Sequence, residues 1–499
     1  MEKQTISGYR LIIAYLGMFL ILIGLIVIVP LIVIPFWPEE SVHAPHFLIP
    51  GLASIGLGSL VVFSFRNTVK GNLERNQDAV LVVLIWMLAI FVSAFPFLLS
   101  TTYDLTQSVF EATSGFSTTG LTVVDVEKAP RIYLLFRSLL QFIGGVGLVL
   151  VLTSAISDKF GMRLYSAEGH NDRLMPNLLR SARMILSIYI GYITLGAIAY
   201  NLFGMPLFEA INHSISAVAT GGFSTNAESI GAYDHVGIEV VTMVLMLLGG
   251  TNFLVHLMLI RRHFGHVFKH VEVKFLGLLL LITVPIVIIN TMSVQGLGFF
   301  ESLRIGSFQV ISSITGTGYQ TIDSFVLLPE LFTSLLIILM VIGAGLGSTA
   351  GGMKQYRVAL AFKSLYWNIR YQFSHRKVIR THFVNKLGTK TVVDKDEVIF
   401  NHTFLMTYVV VLILGTLIFT GFGFSLRDSL FEFASALGTV GLSVGITGYD
   451  AHPLILWTST FGMFFGRLEF FVVFIAFARL VIDGRNRFRS QGLIGPKSS

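Results

Sequence analysis

The sequence predicts an all-α polytopic membrane protein of about ten transmembrane helices: two N-terminal helices, then four pseudosymmetric helix–loop–helix repeats. Three observations carry that prediction. Of 499 residues, 54% are hydrophobic and only 13% are charged, where soluble domains carry about 25% charge. The connections between apolar stretches alternate between basic and neutral or acidic. Four runs rich in small and hydroxylated residues, beginning with SGFSTTGLTVVD at 114–125, interrupt the apolar pattern.

The first stretch, 11–36, has no charge and exceeds the roughly 20 residues that cross a bilayer. It is too long for a signal-peptide core of about 7–15 residues, so it reads as a retained helix. Further spans are expected near 47–65, 79–99, 132–157, 184–204, 237–260, 275–294, 325–347, 402–421 and 454–478. One set of connections is basic: Arg66, Lys70 and Arg75; then Lys159, Arg163, Arg173, Arg180 and Arg183; then Arg261, Arg262, Lys269 and Lys274. The largest, 353–397, carries Lys354, Arg357, Lys363, Arg370, Arg376, Lys377, Arg380, Lys386, Lys390 and Lys395. The other set is neutral or acidic, as in WPEESVHAPH at 37–46. The positive-inside rule places both termini and the basic loops in the cytoplasm, as in a multi-pass protein of the cytoplasmic (inner) membrane. The net charge of +7 is then a topology signal rather than a nucleic-acid footprint. With no cysteine, disulfides, thiolate metal sites and cysteine nucleophiles are excluded.

The four small-residue runs fall on the external side. Each follows an apolar segment too short to cross: YDLTQSVFEATS, PLFEAINHSISA, FESLRIGSFQVISS and LRDSLFEFASA. Such lengths suit re-entrant helices. Aligned on Gly120, Gly222, Gly318 and Gly441, all four copies have serine six residues earlier: Ser114, Ser216, Ser312 and Ser435. Three further serines matching by chance has odds on the order of 10⁻³. One residue later comes a large apolar side chain, Leu121, Phe223, Tyr319 and Leu442, and two later Thr122, Ser224, Gln320 and Ser443. Upstream, Phe110-Glu111, Phe308-Gln309 and Phe431-Glu432 correspond, and Asn212-His213 breaks the pattern. The glycines lie 102, 96 and 123 residues apart, with the extra length in the basic loop. The chain divides into a two-helix extension (1–70) and units at 71–175, 176–265, 266–397 and 398–499, the third holding the basic loop.

Non-helical backbone at membrane depth is tolerated where protein buries it or where it lines a watery cavity. Four equivalent loops about one axis present rings of carbonyl oxygens that can replace the hydration shell of a monovalent cation. Glycine supplies the positive φ that turns successive carbonyls the same way. The short helices aim their negative ends at the cavity. The repeats therefore surround a central ion pore. The candidate filter comprises Thr118, Thr119, Gly120 and Leu121; Thr220, Gly221, Gly222 and Phe223; Gly316, Thr317, Gly318 and Tyr319; and Thr439, Val440, Gly441 and Leu442. A monovalent cation bound there is cargo. Small residues that merely close-pack membrane helices are the alternative reading.

At these residues the sequence resembles a known family. Thr439-Val440-Gly441-Leu442 and Thr317-Gly318-Tyr319 are similar to the potassium-channel filter TVGYG. Four such units in one chain, with GAGLGSTAGGMKQYR at 343–357 and GRLEFF at 466–471, resemble the Trk/Ktr/HKT potassium-transporter superfamily. The two extra N-terminal helices make the chain more similar to the TrkH branch. The resemblance implies K+ uptake, a homodimer with one pore per protomer, and a cytoplasmic RCK-type (TrkA-like) nucleotide-binding subunit. It also implies that glycine at the first filter, Gly120, goes with K+ preference. Gln320 departs from the usual hydroxyl, and the fourth filter is the least regular.

Glycines 343, 345, 347, 351 and 352 fall in and just beyond one predicted span, each weakening a helix by about 1 kcal/mol relative to alanine. The resemblance implies that this segment obstructs the pore. Gating is therefore assigned to Gly345, Gly347, Ser348, Thr349, Gly351, Gly352 and Lys354, with a glycine-rich packing face as the alternative. Arg467 lies inside a predicted span, where charge faces the protein interior. It either anchors a carboxylate or, as the resemblance favours, projects into the permeation path. Glu469, two positions on, is off its helical face.

The 353–397 loop interleaves Tyr356, Phe362, Tyr366, Trp367, Tyr371 and Phe373 with its basic residues. Membrane lipids with anionic headgroups and an RCK ring are both expected partners. His263, His266 and His270 have helical spacing for a metal face, but their basic surroundings favour solvated loop histidines. Asp125 and Asp323, just beyond two filters, are expected to attract cations at the outer surface. No nucleotide-binding fingerprint or paired intramembrane acids suggests an enzyme, and no organic cofactor is expected. An ion-coupled carrier of a small solute is a second reading, although such carriers favour inverted repeats and these four share one polarity. A Na+-permeable member of the same superfamily is a third.

Overall fold

The computed structural model describes residues 5–65, 73–74, 76–147, 178–373, 381–386 and 388–490. The end of the expected span 132–157, the unit boundaries at 70 and 175, and Arg66, Lys70, Arg75, Lys159, Arg163, Arg173, Arg376, Lys377 and Arg380 lie outside the described residues.

Helices α1 (Thr5–Ile28) and α2 (Ala44–Phe65) form an N-terminal pair. Between helices in lipid there is no hydrophobic drive, so close backbone approach across small residues supplies the contact. Gly17 and Gly24 of α1 meet Gly58 and Gly51 of α2. A β-carbon on Gly24 would stand 2.6 Å from the Gly51 carbonyl oxygen, and one on Gly58 would stand 2.6 Å from that of Gly17. Gly58→Leu is expected to cost about 1–3 kcal/mol by overpacking. A lower unfolding midpoint in detergent checks this.

The first repeat contains α3 (Gln77–Leu99), the short helix α4 (Leu105–Phe116) and α5 (Arg131–Val146). The second has α6 (Leu178–Leu202), α7 (Leu207–Val218) and α8 (Val236–Gly249), followed by α9 (Phe253–Ile260) and α10 (Phe264–Val267). The third has α11 (Val271–Gln295), α12 (Phe299–Thr315) and α13 (Glu330–Ile342), then α14 (Gln355–Gln372) and the antiparallel pair β1 (Phe383–Lys386) and β2 (Thr389–Val392). The fourth has α15 (Lys395–Gly421), α16 (Leu426–Gly438), α17 (Pro453–Leu468) and α18 (Phe471–Ser490). The boundary expected at 397/398 thus falls inside the first turn of α15.

Among the described residues six helical segments are long and apolar enough to cross a membrane, and α8 with α9 makes a seventh bent by 110°. The remaining second helices, α5, α13 and α17, have 16, 13 and 16 residues. The second helix of every repeat therefore stops short, between 24 and 27 residues past its aligned glycine. Three stops carry a positive φ just beyond the helix: Gly147 at 98°, Gly343 at 69° and Glu469 at 52°. The break near 343 is the expected one. Hydropathy continues across the other three, which is why they read as single spans.

Candidate functional site

The four short helices end alike. The amides of Thr119, Gly221, Thr317 and Val440 donate to the carbonyls of Ser114, Ser216, Ser312 and Ser435 at 2.8–3.0 Å. The amides of Thr118, Thr220, Gly316 and Thr439 donate to carbonyls three residues earlier at 3.0–3.2 Å. This paired pattern closes a helix through one left-handed residue, and here that residue has φ of 57°, 51°, 68° and 51°. Three of the four are threonine, a β-branched residue for which positive φ is a strained outlier. Two residues on, φ is positive again at Gly120, Gly222, Gly318 and Gly441, between 73° and 99°. Leu121, Phe223, Tyr319 and Leu442 are all buried, whereas each aligned glycine is part-exposed.

The loops close a ring in chain order. A β-carbon on Gly120 would stand 2.4 Å from the Gly221 carbonyl oxygen, and one on Gly222 would stand 2.1 Å from that of Thr317. One on Gly318 would stand 1.9 Å from the Val440 oxygen, and one on Gly441 would stand 2.1 Å from that of Thr119. Each glycine thus abuts the residue before the next copy's glycine, and the fourth returns to the first. All four glycines line a common vestibule of about 440 Å³, with Asp125 and Asp323 at its rim. Asp125 is exposed, and the Lys128 ammonium 2.7 Å away holds its carboxyl below the ordinary carboxylate range.

Side chains brace the loops from behind. Ser114 and Ser435 accept from the amides of Gly120 and Gly441 at 3.1 and 3.0 Å, while Ser312 donates to the Tyr319 carbonyl at 2.6 Å. The residue nine before the glycine meets the one two after it: Thr122 donates to Glu111, His213 bonds Ser224 and Ser443 donates to Glu432, at 2.7–3.0 Å. His213, where the motif breaks, therefore occupies the same place. In the third copy Gln320 is skipped and Gln309 reaches Thr321 at 3.3 Å. Glu111 also pairs with Arg137 of α5 at 2.7 Å, both fully buried. Sequence reasoning passed over Arg137, although a charge inside a predicted span was the signal that singled out Arg467.

The glycine-rich segment lies against the inner end of all four loops. Thr118 Oγ1 donates to the Thr349 carbonyl at 3.2 Å, and the Thr220 and Thr349 hydroxyls are 2.7 Å apart. A β-carbon on Gly316 would stand 3.1 Å from Ala350 Cβ, and one on Gly351 would stand 2.4 Å from Thr439 Oγ1. Lys354, with φ of 73°, donates to the Ala350 carbonyl. The segment is fastened to the break between α8 and α9. The Gly345 amide donates to the Gly250 carbonyl at 3.1 Å and the Phe253 amide to that of Gly347 at 3.4 Å. Asn252 Nδ2 donates to the Leu346 carbonyl, Thr349 Oγ1 to that of Gly249, and the Leu346 amide to Glu272 at 2.6 Å. Asn252 and Glu272 carried no sequence signal.

Arg467, at the end of α17, is buried and donates to the Gly144 carbonyl at 2.5 Å and that of Gly145 at 3.5 Å, where α5 ends. Glu469 pairs with Arg357 at 2.6 Å. Lys354, Arg357 and Tyr356 are thus buried rather than part of a solvated loop. His263 and His266 are exposed, but His270 is buried and caps α11 through the Glu272 amide. Among the described residues no group of three metal-ligating side chains forms.

A family model described as TrkH, cation transport protein, matches residues 43–487. The chain is 32% identical to the Trk system potassium uptake protein TrkG of Escherichia coli, over 95% of this chain and 98% of that one. It is 31% identical to an uncharacterized cation transporter of Methanocaldococcus jannaschii, over 96% and 97% of the two chains. Among solved structures, that of the potassium transporter TrkH from Vibrio parahaemolyticus superposes with a TM-score of 0.83 at 25% identity, covering 94% of this chain and 98% of that one.

Proposed function

The chain belongs to the TrkH family of cation transport proteins, and from that premise we propose that it takes up potassium ions through a pore lined by its four loops. The observation that carries this reading is the closed ring in which Gly120, Gly222, Gly318 and Gly441 each abut the next loop's backbone. Ringed carbonyls replace the hydration shell of K+, and the short helices add negative ends on the same axis. The filter is the set Thr118–Leu121, Thr220–Phe223, Gly316–Tyr319 and Thr439–Leu442. Flux into liposomes holding the purified protein tests this, with K+, Rb+, Na+ and Li+ gradients compared. K+ and Rb+ should pass ahead of the smaller ions, and a protein that moves none of the four overturns the reading.

Residues Gly345–Lys354 form the gate beneath the filter, supported by the contacts of Thr349, Ala350 and Gly351 with all four loops. Arg467 adds a positive charge at the level where the second helices stop. Arg467→Ala is expected to raise K+ flux about tenfold, the equivalent of roughly 1.4 kcal/mol of electrostatic barrier. Unchanged flux in a folded variant would leave Arg467 a structural tie to α5.

Both termini and α14 face the cytoplasm in this reading, and the membrane is the cytoplasmic (inner) one. The relatives' Trk system names support only assembly with further components; in this reading those are a second copy of this chain and an RCK-type, TrkA-like regulatory ring. On α14, Phe362, Leu365, Tyr366 and Ile369 are exposed beside Lys363 and Arg370, as is Phe373 just past its end. That apolar and basic face suits either the ring or anionic lipid headgroups.

A further inference from the structure

Loop 2 differs from its three counterparts in how its carbonyls are engaged. The Gly221 carbonyl accepts from Gln141 Nε2 at 2.5 Å, and the Ser224 carbonyl accepts from Arg137 Nη1 at 3.2 Å. Arg137 and Gln141 are four residues apart on α5, hence on one face of a helix of the preceding repeat. Both are buried. Gln141 Oε1 also accepts from Ser216 Oγ at 2.6 Å, so this serine does not brace its own loop glycine as Ser114 and Ser435 do. Arg137 completes the seam by donating to Glu111 and to Thr122 Oγ1, at 2.7 and 3.0 Å, with its guanidinium 3.9 Å from the centre of the Phe223 ring.

We propose that Gln141 and Arg137 are positioning residues for ion selectivity, which set the direction and field of the loop 2 carbonyls and hold loop 2 in register with loop 1. This rests on the pore reading above. The residues preceding the four glycines are Thr119, Gly221, Thr317 and Val440. At that level the Gly221 oxygen shares its lone pairs with an amide donor. A carbonyl so held resists moving inward around a smaller ion, and it presents a weaker field to any ion. Selectivity depends on both the number and the field strength of the coordinating oxygens. Released from Gln141, this oxygen is free to close around Na+. The identity of both side chains matters: lysine keeps the charge facing Glu111 but lacks the planar fork that reaches Glu111, Thr122 and Ser224 together.

The test compares Gln141→Met and Arg137→Lys with wild type in liposomes, reading K+ and Na+ fluxes separately, with thermal unfolding in detergent as the check on folding. Each variant should still pass K+ while the K+ to Na+ ratio falls roughly threefold to tenfold, the weight of one or two hydrogen bonds. A purely structural role would lower both fluxes together and leave their ratio unchanged. Variants that fold, conduct and keep the wild-type ratio overturn the inference. If Gln141→Met does not fold, Arg137→Lys decides alone, since it keeps the buried charge paired. A wild-type protein that passes K+ and Na+ equally overturns this inference alone, whereas one that moves neither ion overturns the pore reading and this inference with it.

Discussion

Gly120→Ser is expected to reduce K+ over Na+ discrimination at least about tenfold, a change equivalent to roughly 1.4 kcal/mol. Two effects act at this position. Its φ of 99° lies where side chains are disfavoured, at a cost of roughly 1–2 kcal/mol for an L-residue. A β-carbon there would also stand 2.4 Å from the Gly221 carbonyl oxygen. That neighbour is backbone, not a flexible side-chain tip, so it must move, and it belongs to the next loop of the ring. The disturbance thus spreads from one copy to its neighbour. Gly191→Ser is the control, because a β-carbon on Gly191 meets nothing within 4 Å. Paired K+ and Na+ fluxes in liposomes measure the outcome. A Gly120→Ser protein with the wild-type ratio would mean that this ring does not select the ion.

The second large effect is expected at the fastening of the gate. Moving Gly345–Thr349 away from the filter requires release from Gly249, Gly250, Asn252, Phe253 and Glu272. The contact with Glu272 is a hydrogen bond to a charged group, worth about 1.5–3 kcal/mol, against roughly 0.5–1.5 for the neutral bond of Asn252. Glu272→Ala should therefore raise the open fraction, and with it K+ flux, at least about tenfold in protein purified without partners. Asn252→Ala should do so by a few-fold, tempered because Asn252 also caps α9 by accepting from the Leu254 amide. Neither change should alter the K+ to Na+ ratio, because neither residue touches the four loops in the contacts described above. A shifted ratio with unchanged total flux would count against the gate assignment. Selectivity and gating are thus separable measurements on one chain, the first read at Gly120 and the second at Glu272.

The loops were legible because each copy carries its own backbone instructions. A serine six residues before a glycine predicted a recurring unit, and all four serines accept the amide that closes their helix. Positive φ at the aligned glycines follows from residue type. The second copy looked irregular because Asn212-His213 replaces the aromatic and its Glu or Gln, yet His213 makes the same contact eleven residues on. Expected spans at 237–260 and 454–478 proved broken. Hydropathy averages over a window and does not register a turn of two or three residues at Gly250–Asn252 or a left-handed Glu469.

The sequence by itself determined the membrane class, the fourfold repetition and the four aligned glycines at which the loops take a positive φ. These depend on composition and on interactions within a dozen neighbouring residues. Only the tertiary structure decided that the loops close in chain order, that α5 inserts Arg137 and Gln141 behind loop 2, and that residues 345–349 are fastened to the α8–α9 break. Those contacts join residues from 80 to 322 positions apart, such as Gln141 with Gly221, Gly249 with Thr349 and Thr119 with Gly441. No periodicity links such pairs. Their partners are backbone groups, which every residue possesses, so residue identity marks only one side of each contact.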